Sequence, residues 1–311
     1  MYPLAIVQDT VRIYQSAFSR FARDFNARAL KLLERSSRRD ILNGLVWLEE
    51  SVSHDADIFT WLQELRDQHG DDIPKEKFQK QLALNAQHVN AYSRAQFKNA
   101  IESGRTSLRG TGAKHPTVGL PASMPRPTPA PRVPMVDFTR GDNVAAEKVN
   151  GFVKENVGLI SDLSRQHASA VVDAIRDGVI HGKSLKEIAQ QITEQTQKDI
   201  NQAAFWAEDQ SGNLFADLTK ERQLSAGAPG YIWRTMKDSR VRDKHEHLEG
   251  TYHRWDRPPM SGSSQRRLHC HPGEDYRCRC WGEMAWGPQD AERELNPDKL
   301  AIQFQQNRIS K

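Results

Sequence analysis

Long apolar runs are absent from this sequence. In its 311 residues, no stretch approaches the roughly 20 consecutive apolar residues that a membrane-spanning helix needs. The first ten residues, MYPLAIVQDT, do not combine a basic segment with an apolar core and a cleavage site, which is the pattern of a secretion signal. We therefore expect a protein that is neither exported nor bound to a membrane.

Cysteine is also scarce, and neither sign of charge dominates. The chain has three cysteines, an odd number, which in the absence of a secretion signal favours a reducing compartment over a disulfide framework. Its 44 Lys and Arg residues nearly balance 40 Asp and Glu residues, for a net charge of +4. This excess is too small to identify a nucleic-acid-binding protein by itself, although a local excess could still contact DNA.

The first half of the chain divides into two segments of different composition. Residues 1–102 carry apolar side chains at spacings of three and four, which predicts four helices with short connections and hence an N-terminal helical bundle. Residues 103–136 follow, and seven of the fifteen prolines lie between positions 116 and 134, together with basic residues and no acidic one. Such a composition predicts an extended basic linker or a docking arm.

Residues 137–286 are predicted to form a helical domain that ends in short strands. Gly182 is expected to end one helix, and Ser184 and Glu187 have the spacing of a capping box that begins the next. Alternating residues predict short strands at 231–235, 251–255 and 277–281. Residues 287–311 are expected to be a polar tail. The predicted fold class is therefore mainly α, with a small α+β subdomain near the C-terminus.

Unusual side chains are concentrated between Tyr231 and Trp281. This segment holds all three cysteines, five of the eleven histidines and nine arginines. Three interpretations are open: a structural cluster, a metal site and a catalytic site.

We favour the structural interpretation. A small subdomain with few apolar residues can be stabilised by buried tryptophans, buried thiols and charge-assisted hydrogen bonds from arginine. The residues expected to determine its fold are Trp233, Arg234, Asp238, Arg240, Arg242, His245, Gly250, Pro272, Gly273, Cys278, Arg279 and Cys280.

Metal binding is the second interpretation. His245, Cys270, Cys278 and Cys280 are the candidate zinc ligands, because zinc takes about four nitrogen or sulfur ligands. However, only one residue separates Cys278 from Cys280, which is not the two-residue gap usual in zinc motifs. We therefore predict no metal and no other cofactor, with zinc as the alternative.

Catalysis is the third interpretation. A metal-dependent nuclease or other hydrolase would use His245 as a general base, with Asp238, His247, Arg240 and Arg242 around it. No spacing typical of a Ser/His/Asp triad or of paired carboxylates supports this arrangement. We predict no catalytic residue and no enzymatic activity, and we keep the hydrolase as the alternative function.

The order of the motifs resembles that of the phage Mu F-like head morphogenesis proteins, which are minor capsid proteins of tailed phages. The resemblance is carried by W-R-T-x-x-D-S-R-V-R-x-x-H-x-x-L-x-G at 233–250 and H-P-G-E-D-Y-R-C-R-C at 271–280. It extends upstream through G-K-S-L-K-E-I-A-x-x-I at 182–192 and A-E-D-Q-S-G-N-L at 207–214. It thus covers roughly residues 145–285.

This resemblance implies a non-enzymatic minor head protein that acts in capsid assembly and DNA packaging. The implied partners are the portal protein and a major capsid or scaffolding protein, and we expect non-specific contacts of basic loops and the linker with double-stranded DNA. The implied location is the virion, with the host cytoplasm during assembly. Some relatives have a Cys-x-x-Cys pair where this chain has Arg242 to His245. Others carry a toxin or transferase domain after the C-R-C segment, and we expect none here because only about thirty polar residues follow Trp281.

Overall fold

The chain is mainly α-helical, with one small sheet. The computed structural model describes residues 2–42, 52–110, 138–263 and 268–290. The helices are α1 (Leu4–Leu42), α2 (Val52–His69), α3 (Lys75–Gly110), α4 (Phe138–Ile180), α5 (Leu185–Ser225) and α6 (Asp243–Leu248). The strands are β1 (Gly230–Arg234), β2 (Tyr252–Arg254) and β3 (Trp281–Ala285), followed by a 3-10 turn at Pro288–Asp290. The predicted fold class is confirmed. The described helices include none with the length and apolar character of a membrane span.

Two compact units share these elements. The first, which we call the helical unit, consists of Leu4–Ala86 and Asn150–Ser211. The second, which we call the terminal unit, consists of the described parts of Met1–Pro3, Gln87–Val149 and Gly212–Lys311. Helix α3 continues to Gly110, beyond the residue at which the linker was expected to begin. Residues 111–137 and 291–311 lie outside the described residues, and the domain boundaries given above stay a prediction.

Aromatic side chains of α1 form much of the core of the helical unit. Tyr14, Phe18, Phe21 and Phe25 recur at spacings of three and four, and all four are buried. The ring of Tyr14 meets Phe78 edge to face, with 5.1 Å between ring centroids. The stripe that predicted a helix in the sequence is therefore also the packed face of that helix.

A buried polar network crosses this apolar core. His167 on α4 is fully buried, and its Nδ1 lies 2.7 Å from Oδ2 of Asp199 on α5. Its Nε2 lies 3.0 Å from Oδ1 of Asn26 on α1, and Asn26 in turn donates to Thr196 Oγ1 at 3.0 Å. Because polar groups without partners are costly in a core, this network fixes the three helices relative to one another.

The start of α5 has the predicted capping box. The backbone N–H of Ser184 donates to Glu187 Oε2 at 2.7 Å, and the backbone N–H of Glu187 donates to Ser184 Oγ at 3.3 Å. The hydrogen bonds from Ser184 hold the pKa of the Glu187 carboxyl below its ordinary value. Gly182 has φ +65°, a conformation that suits glycine at the end of α4. Both local predictions are confirmed.

The sheet is antiparallel with β1 in the centre, in the order β2-β1-β3. Two of the predicted strands are confirmed to within one residue at each end. The third, at 277–281, is wrong, because β3 begins only at Trp281. Arg277 has φ +50°, and the N–H of Cys278 donates to the carbonyl oxygen of Asp275 at 3.0 Å. The turn at Tyr276 and Arg277 thus precedes the strand, and residues 278–280 are part of neither.

We predict that Asp199→Ala destabilises the helical unit by roughly 1 to 3 kcal/mol, because it leaves a buried ring nitrogen of His167 without its partner. Asp173→Ala is the matched control, since Asp173 is exposed on α4. Urea denaturation followed by circular dichroism measures both changes in the free energy of unfolding. Equal losses of stability for the two variants would show that the network contributes nothing specific.

Candidate functional site

The centre of the candidate site is the aromatic face of β1. Tyr231 and Trp233 are two residues apart, so their side chains lie on the same face of the strand, and both are fully buried. They form one apolar cluster with Leu248, Trp255 and the two cysteines of the C-R-C segment. The ring of Tyr231 lies 4.3 Å from that of Trp255, centroid to centroid. This face of the small sheet is therefore packed against aromatic and sulfur-containing side chains.

Helix α6 places His245 against that face. Its ring meets Trp233 edge to face, with 5.3 Å between centroids. The chain then returns to the sheet at Gly250, whose N–H donates to the carbonyl oxygen of Trp233 at 2.9 Å. Gly250 has φ +76°, which explains why glycine follows this helix. Gly250 thus permits the turn that follows α6, and α6 places His245 in the core.

Two thiols meet His245 on its other side. The sulfur atoms of Cys278 and Cys280 each lie 3.5 Å from its Nδ1. All three side chains are buried. A hydrogen bond from Cys280, stronger than the opposing effect of burial, holds the pKa of Cys278 well below its ordinary value. The same bond, together with burial, raises the pKa of Cys280. The hydrogen bond between the two cysteines thus favours the thiolate form at Cys278 and the thiol form at Cys280.

Two arginines, Arg279 and Arg242, hold the C-R-C segment in place through hydrogen bonds. Arg279 lies between the two cysteines, and its Nη1 and Nη2 donate to the two carboxylate oxygens of Asp238 at 2.7 and 2.6 Å. This hydrogen bonding lowers the pKa of the Asp238 carboxyl. Arg242 also contributes, because its Nη2 donates to the carbonyl oxygen of Tyr276 at 2.6 Å. Two predicted arginines thus join the D-S-R-V-R turn to the second motif.

The H-P-G-E-D turn packs against α5. Gly273 has φ +91°, and a Cβ atom there would lie 2.5 Å from Cβ of Ala216. Nδ1 of His271 lies 2.9 Å from the hydroxyl oxygen of Tyr231, and the N–H of His271 donates to Glu274 Oε2 at 2.7 Å. Only a residue without a side chain fits at position 273, and this steric limit explains why glycine occurs there.

Comparison with known proteins finds that part of this region is similar to a described family. Residues 169–282 match the family model described as Phage Mu protein F like protein. This segment is Mu F-like. The resemblance predicted from the motifs is therefore confirmed for residues 169–282, which are less than half of the chain.

One curated relative also matches part of the chain. An uncharacterized protein of Haemophilus influenzae (strain ATCC 51907 / DSM 11121 / KW20 / Rd) is 32% identical over 143 residues, which make up 46% of this chain and 30% of that protein. The matched part is thus less than a third of the relative's length. No solved structure matches the chain.

Other histidines and the third cysteine of the Mu F-like segment lie apart from the His245 cluster. Cys270 is buried, but it does not belong to the group of close ligand atoms around His245. Burial lowers the pKa of His253 to about 4. His247 is exposed and its Nδ1 lies 2.6 Å from the carbonyl oxygen of Asp243. His245 is the one histidine of the described segment that contacts both thiols.

The residues considered for catalysis do not converge. Asp238 is held by Arg279, His245 faces the core, and His247 faces outward. Arg240 is also exposed, and Arg242 is committed to the turn at Tyr276. Within the described residues, this set forms no shared open site.

Two acidic residues with a structural role were missed by the sequence analysis. Glu249 accepts hydrogen bonds from the backbone N–H and the hydroxyl of Thr235, at 2.6 and 2.8 Å, and it pairs with Arg234 at 3.4 Å. Asp275 is buried and accepts from the backbone N–H and hydroxyl of Ser263, at 3.0 and 2.8 Å. Asp275 lies inside the H-P-G-E-D motif, which was a signal that could have identified it.

We predict that Trp233→Ala lowers the stability of the terminal unit by roughly 3 to 5 kcal/mol, because it opens a cavity beneath α6 and the C-R-C segment. Tyr276→Ala is the control, since Tyr276 is an aromatic residue of the same unit that is 44% exposed. Thermal denaturation monitored by near-ultraviolet circular dichroism compares the two. Unchanged melting of the Trp233 variant would contradict the structural interpretation of the motif.

Proposed function

We propose that the protein is a minor head protein of a tailed bacteriophage, which acts without catalysis in capsid assembly and DNA packaging. The observation that carries the proposal is the Mu F-like match over residues 169–282. The positions of the motif side chains support a structural role. Trp233, His245, Cys278 and Cys280 all point into the terminal unit and are buried. A motif of this kind specifies a scaffold and leaves the surface free to differ between relatives.

The partners that we propose are the portal protein and a major capsid or scaffolding protein. Support comes from the family resemblance and from the shape of the elements, since α3, α4 and α5 are helices of 36, 43 and 41 residues. Long helices present extended exposed faces to a partner. The protein would be found in the virion and, during assembly, in the host cytoplasm.

We further propose non-specific contact with double-stranded DNA through basic residues. The segment at 103–136 supports this, because it contains Arg105, Arg109, Lys114, Arg126 and Arg132 and no acidic residue up to position 135. Contacts of such residues with phosphates would not depend on the base sequence.

We predict that particles produced from the genome encoding this chain contain it at a few to some tens of copies per head. Quantitative mass spectrometry of density-purified particles measures its ratio to the portal and major capsid proteins. Deletion of the gene should lower the yield of DNA-filled heads, and wild-type protein supplied in trans should restore it. Absence from particles combined with an undiminished yield after deletion would contradict the proposed role.

We predict that DNA binding by the purified protein weakens steeply between about 50 and 200 mM salt, because phosphate contacts release counterions. A variant with the five basic residues of the linker changed to glutamine should bind more weakly. The magnitude of its log–log salt slope should fall by roughly 0.9 for each phosphate that the variant no longer neutralises. The measurement is fluorescence anisotropy with two duplexes of unrelated sequence. Salt-insensitive binding that selects one duplex would contradict this mode, and cleavage of plasmid DNA with added Mg²⁺ or Zn²⁺ would support the hydrolase instead.

A further inference from the structure

Three buried side chains of the terminal unit direct their ligand atoms at one point. Nδ1 of His245 and the sulfur atoms of Cys278 and Cys280 all lie within 4.8 Å of one another. These residues are only 2%, 3% and 4% exposed. We propose that His245, Cys278 and Cys280 bind a zinc ion. The proposal is independent of any role in the phage head.

The two distances from Nδ1 of His245 to the sulfur atoms match those of a tetrahedral zinc site. Typical bond lengths are about 2.05 Å from zinc to nitrogen and about 2.3 Å from zinc to sulfur, which at a tetrahedral angle separate the two ligand atoms by roughly 3.6 Å. Both sulfur atoms lie 3.5 Å from Nδ1. A single lone pair or proton on Nδ1 can form a good hydrogen bond with only one of the thiols. A central cation accounts for two equal distances at once.

The other ring nitrogen of His245 selects the correct tautomer. Nε2 lies 3.1 Å from the carbonyl oxygen of Ser261. A carbonyl oxygen only accepts hydrogen bonds, so Nε2 carries the proton. The lone pair of the neutral ring is then on Nδ1, which faces the sulfur atoms. Metal-binding histidines are commonly fixed by this kind of hydrogen bond to a backbone carbonyl.

The surroundings also hold the thiols in place. The N–H of Gly273 lies 3.4 Å from the sulfur of Cys278, in the position of a hydrogen bond to a metal-bound thiolate. Asp238 holds Arg279 on the outside with two hydrogen bonds. Cys278 and Cys280 are two residues apart, so their side chains share a face of an extended segment, and here both sulfur atoms face His245. The one-residue gap between them is therefore compatible with a shared metal.

The ligand set identifies the class of metal. Two thiolates and an imidazole favour zinc over magnesium or calcium, which prefer oxygen ligands. In the part of the chain that the structure describes, no fourth His, Cys, Asp or Glu joins the group. Three protein ligands leave one tetrahedral position for water or for another small ligand. Cys270, buried but outside the group, provides a matched control.

The first experiment measures zinc in the reduced full-length protein after dialysis, by inductively coupled plasma mass spectrometry. We expect about one zinc per chain. Cys278→Ser and Cys280→Ser should each weaken zinc binding by at least about 100-fold in competition with a chelator, since even indirect changes at zinc sites cost 10- to 100-fold. Cys270→Ser should bind zinc as the wild type does. No zinc in the wild type, or equally weakened binding in all three variants, would overturn the proposal.

A second experiment needs only the wild type, since a buried thiol variant can lose zinc simply by unfolding. Metal-free reduced protein is titrated with Co²⁺, which takes the place of zinc and is visible in absorption spectra. We expect intense visible bands of tetrahedral cobalt and a thiolate charge-transfer band in the near ultraviolet, both abolished by one equivalent of Zn²⁺. A weak octahedral spectrum, or a Cys278–Cys280 disulfide found by mass spectrometry in the protein as isolated, would overturn the proposal.

Discussion

The contact of His245 with Trp233 and with two thiols is the interaction on which the terminal unit depends. Strands of five, three and five residues form a sheet too small to be stable without a cover. Helix α6 and the C-R-C segment cover the sheet. His245 of α6 contacts Trp233 of the sheet and both cysteines of the segment. The Asp238–Arg279 pair and the turn at Gly273 then fix the cover in place.

Local signals in the sequence predicted local structure well. The capping box at Ser184 and Glu187 and the helical stripe of α1 depend on neighbours within one or two turns, so both were visible in the sequence. The His167 network was not, because Asp199 and Asn26 are 32 and 141 positions away in the chain. The strand predicted at 277–281 was wrong for a related reason. Its prediction required an extended backbone at Arg277, whose left-handed conformation could not be read from residue types.

The candidate site was predicted as a set of residues but not as an arrangement. Histidine, cysteine and arginine residues are concentrated in one segment of the sequence, yet which histidine faces the thiols depends on α6 and on the carbonyl oxygen of Ser261. Glu249 was missed because a short run of polar residues gives no sign of which one turns inward, and Asp275 was missed although it lies inside the H-P-G-E-D motif. The Mu F-like motif therefore identifies a family more readily than it describes a site.

The division of the chain between the two units has a consequence for synthesis on the ribosome. Neither unit is a continuous stretch, so the helical unit cannot close until residues 150–211 have been made. Tyr14 hydrogen-bonds to Asn156, 142 positions later. At a synthesis rate of about 5 to 20 residues per second, roughly 7 to 28 s pass between the synthesis of Tyr14 and that of Asn156. A nascent chain with such a face is a natural client for chaperones, and fragments cut between positions 111 and 137 would leave both units incomplete.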